Sequence, residues 1–384
     1  MNIAIYTNIL TPYRVHFFES MYEECLSRGD SFRVLVMAAT EPNRVWKYED
    51  YKKEYTILLN SRTISHGEVH IHFNNNLEAT LKRLNLDVLI CAGGYLSPGI
   101  WRAVQLKKRM GFKMYFWSES HLHETRYYNG FKVKIREKIR NVIYKKFDGF
   151  WYAGKLSKEF IQTYCNFNAE MIFVPNLIDE AKYKEAVIFS EERKKQIRKK
   201  YEISENNVVI ICPARLIPVK GIDKFIPILD KTQNKSKITM LLAGDGEMRE
   251  NLEKMVKKTK LDVRFLGFQN QDSMIELYSI SDVFVLPSIS DANPLTCIEA
   301  LWTELPLFIS ENCGNYPEVI EQGKNGYSFN YKNLNDAVKK LDCIISADKR
   351  WMENARNTSG LIAKEQYDTK RVIEKILNRF YEIK

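Results

Sequence analysis

The segment from Leu286 to Trp302, LPSISDANPLTCIEALW, holds residue types with clear chemical potential. Asn293 and Pro294 are typical of a helix start, with asparagine at the N-cap and proline at the first helical position. The backbone amides of Leu295 and Thr296 would then lack partners, and unpaired amides at a helix N-terminus attract anions. The segment therefore predicts an anion site, with an ordinary helix cap as the alternative.

Two carboxylates belong to the same segment. Asp291 lies just before the predicted helix, and Glu299 lies about one and a half turns into it. Because a carboxylate repels an anion, we expect sugar hydroxyls to be the partners of these side chains. The alternative is that Asp291 is a further cap and that Glu299 is a partly buried salt-bridge partner.

Two cations follow an apolar run in the segment Val208–Gly221, VVIICPARLIPVKG. An arginine binds phosphate oxygens in a bidentate manner, and a lysine acts on them as a point charge. Cations in surface loops are ordinary, but Arg215 and Lys220 at the end of a buried strand, opposite the helix start at Asn293, predict a clamp for a diphosphate.

A third loop, in the segment Leu241–Met248, contains Gly244, Asp245 and Gly246 after another apolar run. Glycine permits a tight turn or a close approach of the backbone to a ligand. The segment has neither the Gly-x-Gly-x-x-Gly nor the Gly-Lys-Ser/Thr pattern of nucleotide loops. An ordinary Asp-Gly turn is the alternative.

The first half of the chain contributes a second helix start. In TNILTPYR, Thr11 and Pro12 have the N-cap and first helical positions, which places Arg14 in the first turn. Gly93 and Gly94 follow a later strand. We expect Tyr13, Arg14, Gly93 and Gly94 to lie on the acceptor side of a site.

Glu119 and His121 follow a further strand in WSESHLH. Either side chain can provide a hydrogen bond or transfer a proton at a reaction centre. The alternative for His121 is a structural histidine whose hydrogen bonds are satisfied in the core.

The elements that must position these loops alternate between strands and helices. From about Asn206 the alternation starts again, which predicts two α/β domains, each a doubly wound parallel sheet. Ligands in such sheets bind beyond the carboxyl ends of the strands, so we expect a site in a cleft between the two domains. The predicted boundaries are an N-terminal domain at 1–178, a charged linker at 179–205, a C-terminal domain at 206–365 and a C-terminal helix at 366–384 that returns to the first domain. The predicted strands are Asn2–Thr7, Phe32–Ala38, Asp87–Cys91, Lys113–Trp117, Gly149–Tyr152, Met171–Val174, Val208–Cys212, Ile238–Ala243, Val263–Leu266, Val283–Leu286 and Leu307–Ile309.

Composition agrees with a globular α/β protein. The chain has 384 residues, of which 45% are hydrophobic and 28% charged, and this excludes disordered, fibrous and small disulfide-rich classes. No apolar run reaches the length of a membrane-spanning helix, and MNIAIYTNIL lacks the features of a secretory signal. The seven scattered cysteines indicate neither a zinc site nor a disulfide framework. We expect a cytoplasmic protein without a bound metal.

The positive charge is concentrated in one segment. The net charge is +10, and residues 102–158 hold 15 Lys and Arg against 4 Asp and Glu. Within this segment, FKVKIREKIRNVIYKK predicts a basic amphipathic helix that can lie on an anionic membrane surface. A core-packing helix with a solvated lysine face is the alternative, and no recognised nucleic-acid motif accompanies the charge.

Several of these motifs, in this order, resemble the retaining glycosyltransferases of family 4, which have the GT-B fold of two Rossmann-like domains facing across a cleft. The resemblance rests mainly on the second half of the chain, while TPYRVHFF is similar to sugar transferases of bacterial surface polysaccharides. The matching stretches are PARLIPVKGID, LLAGDGEM, PSISDANPLTCIEALWTELPLFIS and GNYPEVIEQGKNGYSF, with FVPNLID at the hinge.

The resemblance implies a role for each matching residue. Arg215 and Lys220 would hold the donor diphosphate, Glu299 the ribose hydroxyls, and Asp291 the transferred sugar. The donor would be a UDP- or GDP-sugar, with no metal and no cofactor. The implied donor-binding residues are Gly244, Asp245, Gly267, Phe268, Asn293, Leu295, Thr296 and Glu299.

The chain departs from the family pattern at three places. Asp291 stands where the family has a glutamate, which shortens the reach to the sugar by one methylene. The family's catalytic histidine has no clean counterpart here, and Glu119 and His121 of WSESH lie nearest to its place. TNILTPYR also lacks the usual glycine pair of the first loop.

The implied function is a retaining, metal-independent, hexosyltransferase-type glycosyltransferase of cell-surface polysaccharide synthesis, such as lipopolysaccharide, capsule or exopolysaccharide. It would act on a glycan or lipid-linked oligosaccharide acceptor at the inner face of the cytoplasmic membrane, held there by residues 102–158, without a nucleic-acid partner. The alternatives are another GT-B nucleotide-sugar enzyme, such as an epimerase, and a non-catalytic basic adaptor for a membrane or nucleic acid.

Overall fold

The computed structural model describes residues 1–42, 47–67, 69–122, 130–165 and 169–383, with all of their side chains except those of 69, 130–133 and 383. These residues divide into two compact units. The first unit contains 1–122, 130–178 and 369–383, and the second contains 179–368.

The first unit is built around a parallel sheet. Its strands are β1 (Asn2–Thr7), β2 (Ser31–Val36), β3 (Thr56–Leu58), β4 (Ser61–His66), β5 (Val69–Asn74), β6 (Val88–Cys91), β7 (Lys113–Ser118), β8 (Gly149–Tyr152) and β9 (Glu170–Phe173). The order in the sheet is β3-β2-β1-β6-β7-β8-β9, and each pairing is parallel. The central strand β1 is buried from Ile3 to Thr7, as expected when helices cover both faces of a parallel sheet.

The helices of this unit run between the strands. They are α1 (Pro12–Ser27), α2 (Tyr48–Tyr51), α3 (Leu77–Leu84), α4 (Pro98–Met110), α5 (Gly130–Tyr144) and α6 (Lys155–Tyr164). β4 and β5 do not join the sheet but form a separate antiparallel hairpin. The sequence analysis missed this hairpin, because SRTISH is polar and all six of its residues are exposed.

The second unit contains another parallel sheet. Its strands are β10 (Val208–Pro213), β11 (Ile238–Ala243), β12 (Asp262–Gly267), β13 (Val283–Leu286), β14 (Leu307–Ser310) and β15 (Gly326–Phe329), in the order β12-β11-β10-β13-β14-β15. Its helices are α7 (Glu180–Lys184), α8 (Glu191–Lys200), α9 (Ile222–Asp230), α10 (Arg249–Val256), α11 (Gln271–Ser279), α12 (Leu295–Trp302), α13 (Tyr316–Val319), α14 (Leu334–Ile345) and α15 (Lys349–Gln366). The predicted α/β class with a doubly wound sheet is confirmed for each unit.

The predicted strands form where expected, with small shifts at their ends. Four of them have the predicted bounds, and the other seven differ by one or two residues at an end. The structure adds β3, β15 and the hairpin. β3 has only three residues, and β15, with the sequence GYSF, contains a glycine and a serine in place of a continuous apolar run.

The segment predicted as a charged linker, 179–205, packs with the second unit instead of standing apart from it. Tyr183 of α7 is buried, and the ammonium of Lys184 lies 4.3 Å from the ring centre of Trp302. Arg198 of α8 donates a 2.9 Å hydrogen bond to Asp282. These contacts join both helices to the second unit.

The last helix, α16 (Thr369–Ile383), belongs to the first unit. Its buried residues Ile373, Ile376, Leu377 and Phe380 are part of the same core cluster as Ile3 and other β1 side chains. The ring of Phe380 stacks on Trp151 with a centroid distance of 6.0 Å.

Candidate active site

Three loops meet at the carboxyl edge of the second sheet. They follow β10, β11 and β13, which are adjacent in the sheet, so their proximity follows from the strand order. Backbone hydrogen bonds join them, from the Leu216 amide to the Asp245 carbonyl at 2.9 Å and from the Ile289 amide to the Val219 carbonyl at 2.8 Å. The loops that the sequence analysis selected in this half of the chain therefore form one structure.

Glycines allow these loops to pack closely. Gly244 has φ +155°, and a Cβ there would lie 2.0 Å from the Ala214 carbonyl oxygen. Gly221 has φ +65°, and its Cβ would lie 2.3 Å from the Pro287 carbonyl oxygen. A side chain at Gly244 or Gly221 would therefore collide with the backbone of the neighbouring loop. The close approach that the sequence predicted at Gly244 is thus made to the neighbouring loop.

Lys220 and Asp291 form an ion pair at this edge. Lys220 Nζ donates to Asp291 Oδ2 at 2.5 Å, and the two side chains are only 19% and 15% exposed. Lys220 ends a short 3-10 turn, Pro218–Lys220, while the Asp291 carbonyl accepts a hydrogen bond from the Gly314 amide at 2.8 Å. The cation predicted for the diphosphate and the carboxylate predicted for the sugar are therefore in contact.

Arg215 lies in the same loop as Lys220 and is exposed. Among the described residues, its side chain makes no hydrogen bond or ion pair, while its carbonyl accepts a hydrogen bond from the Ile217 amide at 2.9 Å. A guanidinium on a fixed backbone without an internal partner can bind an external anion.

The helix in the third loop starts later than predicted. α12 begins at Leu295, so Pro294 occupies the N-cap with an extended ψ of 120°, and Asn293 precedes the helix instead of capping it. Asn293 is buried, and its side-chain oxygen accepts a 3.2 Å hydrogen bond from Asn315. Leu295 and Thr296 are still in the first turn, where backbone amides lack intrahelical acceptors.

Glu299 of α12 is held by two tyrosines. Its Oε1 accepts from the Tyr183 hydroxyl at 2.9 Å, and its Oε2 accepts from the Tyr278 hydroxyl at 2.6 Å. Burial raises the pKa of the Glu299 carboxyl, and the two donated hydrogen bonds act in the opposite direction. Within the described residues Glu299 forms hydrogen bonds with tyrosines and no salt bridge, which was the alternative from the sequence. Sequence reasoning missed both tyrosines, because no local pattern joins them to Glu299.

Two of the residues that the resemblance implied for donor binding, Gly267 and Phe268, lie at the end of the edge strand β12. Gly267 has φ +70°, and the ring of Phe268 is 85% exposed. Asp245 is in the adjacent loop, where its Oδ1 accepts from the Gly246 amide at 2.8 Å. An exposed ring at such an edge is available for stacking.

In the first unit, two predicted residues are also in contact. Arg14 of α1 donates a 3.0 Å hydrogen bond to Glu119, and its guanidinium lies 4.5 Å from the ring centre of Trp117. It also donates to the Ala92 carbonyl at 3.3 Å. These contacts follow from the adjacency of β1, β6 and β7, whose loops carry the residues.

The remaining predicted residues of this unit differ in exposure. His121 is buried at 2% exposed, whereas Tyr13 is 38% exposed. Gly93 packs against Asn8, since a Cβ there would lie 2.6 Å from Asn8 Oδ1, and Gly94 has open space around it. A cavity of about 530 Å³ in this unit is lined in part by Phe73 of the hairpin. None of the residues predicted for a site in this unit belongs to its lining.

The basic segment 102–158 is only partly neutralised. Arg102 and Arg109 pair with Glu78, while Lys107 pairs with Asp148 at 2.6 Å. In α5 and the turn that follows it, basic and apolar side chains are exposed together; they are Lys134, Ile135, Lys138, Val142, Lys145 and Lys146. Residues 123–129 of the segment and the side chain of Lys132 lie outside the described residues.

No helix within the described ranges is long and apolar enough to cross a membrane. In the same part of the chain, no three His, Cys, Asp or Glu residues cluster as metal ligands would.

Comparison with known proteins gives a family match for the second unit. Residues 193–358 match the family model of glycosyl transferases group 1. The chain is 27% identical over 189 residues to an uncharacterized glycosyltransferase of Methanocaldococcus jannaschii, covering 49% of this chain and 48% of the relative. It is 32% identical over 132 residues to the O-antigen biosynthesis glycosyltransferase WclY of Escherichia coli, covering 34% and 36%. The chain thus spans about half or less of these relatives.

A solved structure matches over the whole chain. HepE of Anabaena in complex with UDP has a TM-score of 0.75 and 15% identity, with all of both chains covered. At this identity the match shows the fold, which is the GT-B fold that the motifs indicated. The resemblance to glycosyltransferases that the motifs indicated is thus confirmed for residues 193–358, which match that family model.

Proposed function

We propose that this chain transfers the sugar of a nucleoside diphosphate sugar to an acceptor hydroxyl. Its second unit matches the group 1 glycosyl transferases. The observation that carries the proposal is the Lys220–Asp291 ion pair beside Arg215 and the start of α12. Lys220 is the proposed cation for the diphosphate and Asp291 the proposed carboxylate for the sugar. Their contact agrees with a ligand in which sugar and diphosphate are directly bonded.

The chemistry depends on the charge of the leaving group. Negative charge grows on the departing phosphate oxygen as the bond to the sugar breaks. Arg215, Lys220 and the first amides of α12 stabilise that charge, and removing one preorganised donor of this kind typically costs about 3 kcal/mol. We propose that these groups do so without a metal ion, so that a chelator leaves the rate unchanged.

Glu299 is proposed to bind the ribose. A carboxylate has about four lone-pair sites, and the two tyrosines use one on each oxygen. The remaining sites can accept from two vicinal hydroxyls, which ribose has. The complex of HepE with UDP supports a uridine nucleotide as the donor's leaving group, and the exposed ring of Phe268 is suited to stack on a base.

The reaction is proposed to retain the configuration of the sugar. The Asp291 carboxylate is paired with Lys220, which lowers its strength as a nucleophile. Attack by the acceptor on the same face that the phosphate leaves, with the phosphate taking the acceptor proton, then needs no covalent intermediate. Asp291 would contact the sugar instead of attacking it.

The acceptor is proposed to be a glycan or lipid-linked oligosaccharide of a cell-surface polysaccharide, at a cytoplasmic membrane face. The likeness to an O-antigen glycosyltransferase supports the substrate class. The exposed lysines and apolar side chains of α5 support contact with an anionic membrane.

Lys220→Ala tests the proposal. Calorimetry of the wild-type chain is expected to show UDP binding. UDP release from a panel of UDP-sugars is expected to require added acceptor extract, whereas an epimerase would convert the sugar without it. In Lys220→Ala we expect turnover to fall about 100-fold.

Lys231→Ala, at an exposed cation that follows α9, is the matched control and should behave as wild type. Failure of the wild-type chain to bind either UDP or GDP would refute the proposal.

A further inference from the structure

The loop that follows β14, residues 311–315, lies beside the turn that leads into α12. β13 and β14 are adjacent and parallel in the sheet, so the loops at their carboxyl ends are neighbours. Two backbone hydrogen bonds join these loops. The Asp291 amide donates to the Asn312 carbonyl at 3.3 Å, and the Gly314 amide donates to the Asp291 carbonyl at 2.8 Å. Asp291, the proposed sugar ligand, is therefore held through both polar groups of its backbone.

Asn315 extends this contact with its side chain. Its Nδ2 donates to the Pro294 carbonyl at 3.0 Å and to Asn293 Oδ1 at 3.2 Å, so both N–H bonds of the amide are used. Pro294 is the N-cap of α12, and its carbonyl also accepts a hydrogen bond from the Cys297 amide in the first turn, at 3.3 Å. The Asn315 amide thus fixes the residue from which α12 starts.

The side chain of Asn315 serves this neighbouring helix and not its own. Asn315 is the N-cap of the short helix α13, but its side chain makes no capping hydrogen bond there. The residue is fully buried, and its Oδ1 accepts no hydrogen bond from any residue that the structure describes. A buried acceptor without a partner costs free energy, which an apolar side chain of similar volume would avoid. What the amide contributes at this position is therefore its two donated hydrogen bonds.

A planar peptide group carries this constraint to the predicted anion site. The Pro294 carbonyl and the Leu295 N–H belong to one trans peptide, in which the C=O and N–H bonds point in opposite directions. Because the carbonyl points along α12, the Leu295 N–H points out of the helix N-terminus. An amide at a helix start attracts an anion only while it keeps that direction.

We propose that Asn315 is a positioning residue of the donor site, which orients the Leu295 N–H toward the diphosphate through the Pro294 carbonyl. This inference rests on the proposed function, since it requires a diphosphate at the start of α12. The proposed ligands of the nucleoside, Glu299 and Phe268, are not hydrogen-bonded to Asn315. Loss of the Asn315 amide should therefore weaken binding of the diphosphate and spare binding of the nucleoside.

The test compares UDP with uridine, which lacks the phosphates, on the full chain, with GDP and guanosine in parallel. Calorimetry measures the affinity for the nucleotides and saturation-transfer NMR the affinity for the nucleosides. In Asn315→Ala the affinity for the diphosphate should fall about tenfold, as expected when a hydrogen bond to a charged group is weakened. The affinity for the nucleoside should stay close to that of wild type. Asn315→Leu keeps the volume and removes both donors, so it should lower the same ratio of affinities even if the alanine variant does not fold.

Asn325→Ala is the matched control in the same unit. Asn325 is also fully buried, and its Nδ2 donates two hydrogen bonds, to the Val319 carbonyl at 2.9 Å and to the Ser359 hydroxyl at 3.2 Å. Loss of this amide should lower the melting temperature in a similar way to the loss of Asn315, but leave the ratio of affinities unchanged. Thermal unfolding of the variants thus separates the cost of removing a buried amide from an effect on the diphosphate.

A fall of the ratio in the Asn315 variants alone supports the inference. An unchanged ratio in both variants, with UDP or GDP bound by wild type, would overturn it and leave the proposed function in place. An equal fall in Asn325→Ala would also overturn it, because the ratio would then report stability and not the direction of one amide. If wild type binds neither UDP nor GDP, the proposed function is rejected and this inference with it.

Discussion

The carboxylate of Glu299 acquires its environment from residues that are far from it in the chain. Tyr183 comes from the short helix α7 and Tyr278 from α11, and each hydroxyl fixes one carboxylate oxygen. Hydrogen bonds to a charged group contribute more than those between neutral groups. The orientation of Glu299 in its proposed role as the ribose ligand therefore depends on both tyrosines.

Tyr278→Phe removes the 2.6 Å hydrogen bond to Glu299 and leaves the ring in place. We expect UDP affinity to fall about fivefold, corresponding to roughly 1 kcal/mol. The affinity for 2′-deoxy-UDP should fall less, because one of the two hydroxyl contacts is already missing. Calorimetric titration of both nucleotides measures this. An unchanged ratio of the two affinities would contradict the ribose assignment.

At the scale of elements, α5 presents two kinds of side chain to solvent. Ile135 and Val142 are 43% and 52% exposed, while Ile143 is buried in the core. Exposed lysines accompany them. Exposed apolar side chains close to exposed lysines are the combination that the proposed contact with an anionic lipid surface requires.

Changing Lys134, Lys138, Lys145 and Lys146 to Gln should weaken binding to phosphatidylglycerol vesicles by at least tenfold at low salt. Each lysine near such a surface contributes about 1 kcal/mol. The matched control changes the exposed Lys254, Lys257, Lys258 and Lys260 of the second unit and should have little effect. Cosedimentation measures both. Equal binding by the two variants would reject the membrane contact through α5.

At the scale of the whole molecule, each unit has its own sheet and buried core, and the first is completed by the last helix. Phe380 of α16 is 3% exposed and lies against Tyr115 and Trp151, with ring centroids at 5.2 and 6.0 Å. The stability of this unit thus depends on residues that follow the entire second unit in the chain.

Phe380→Ala should destabilise the first unit by about 3–5 kcal/mol, the usual cost of emptying a buried aromatic site. Calorimetric unfolding with and without UDP separates the units, because the proposed nucleotide site raises only the transition of the second. We expect Phe380→Ala to lower the other transition. Lys375→Ala, at an exposed position of the same helix, should leave both unchanged. A shift of the UDP-sensitive transition alone would contradict this assignment.

Sequence reasoning found the parts that local pattern determines. Apolar runs gave the long strands, and the parallel order predicted that loops carrying Arg215, Lys220 and Asp291 would meet. It placed the start of α12 one residue too early, because Asn-Pro is also compatible with an extended proline before the helix. The Glu299 tyrosines and the Asn315 hydrogen bonds depend on tertiary contacts between distant segments, which no local spacing encodes.

The return of α16 to the first unit has a consequence for synthesis on the ribosome. The nascent first unit lacks a wall of its core until residues 369–383 emerge, so the apolar surface around Trp151 stays uncovered while the second unit is translated. The second unit, being continuous in the chain, can fold earlier. Translation therefore favours maturation of the second unit before the first.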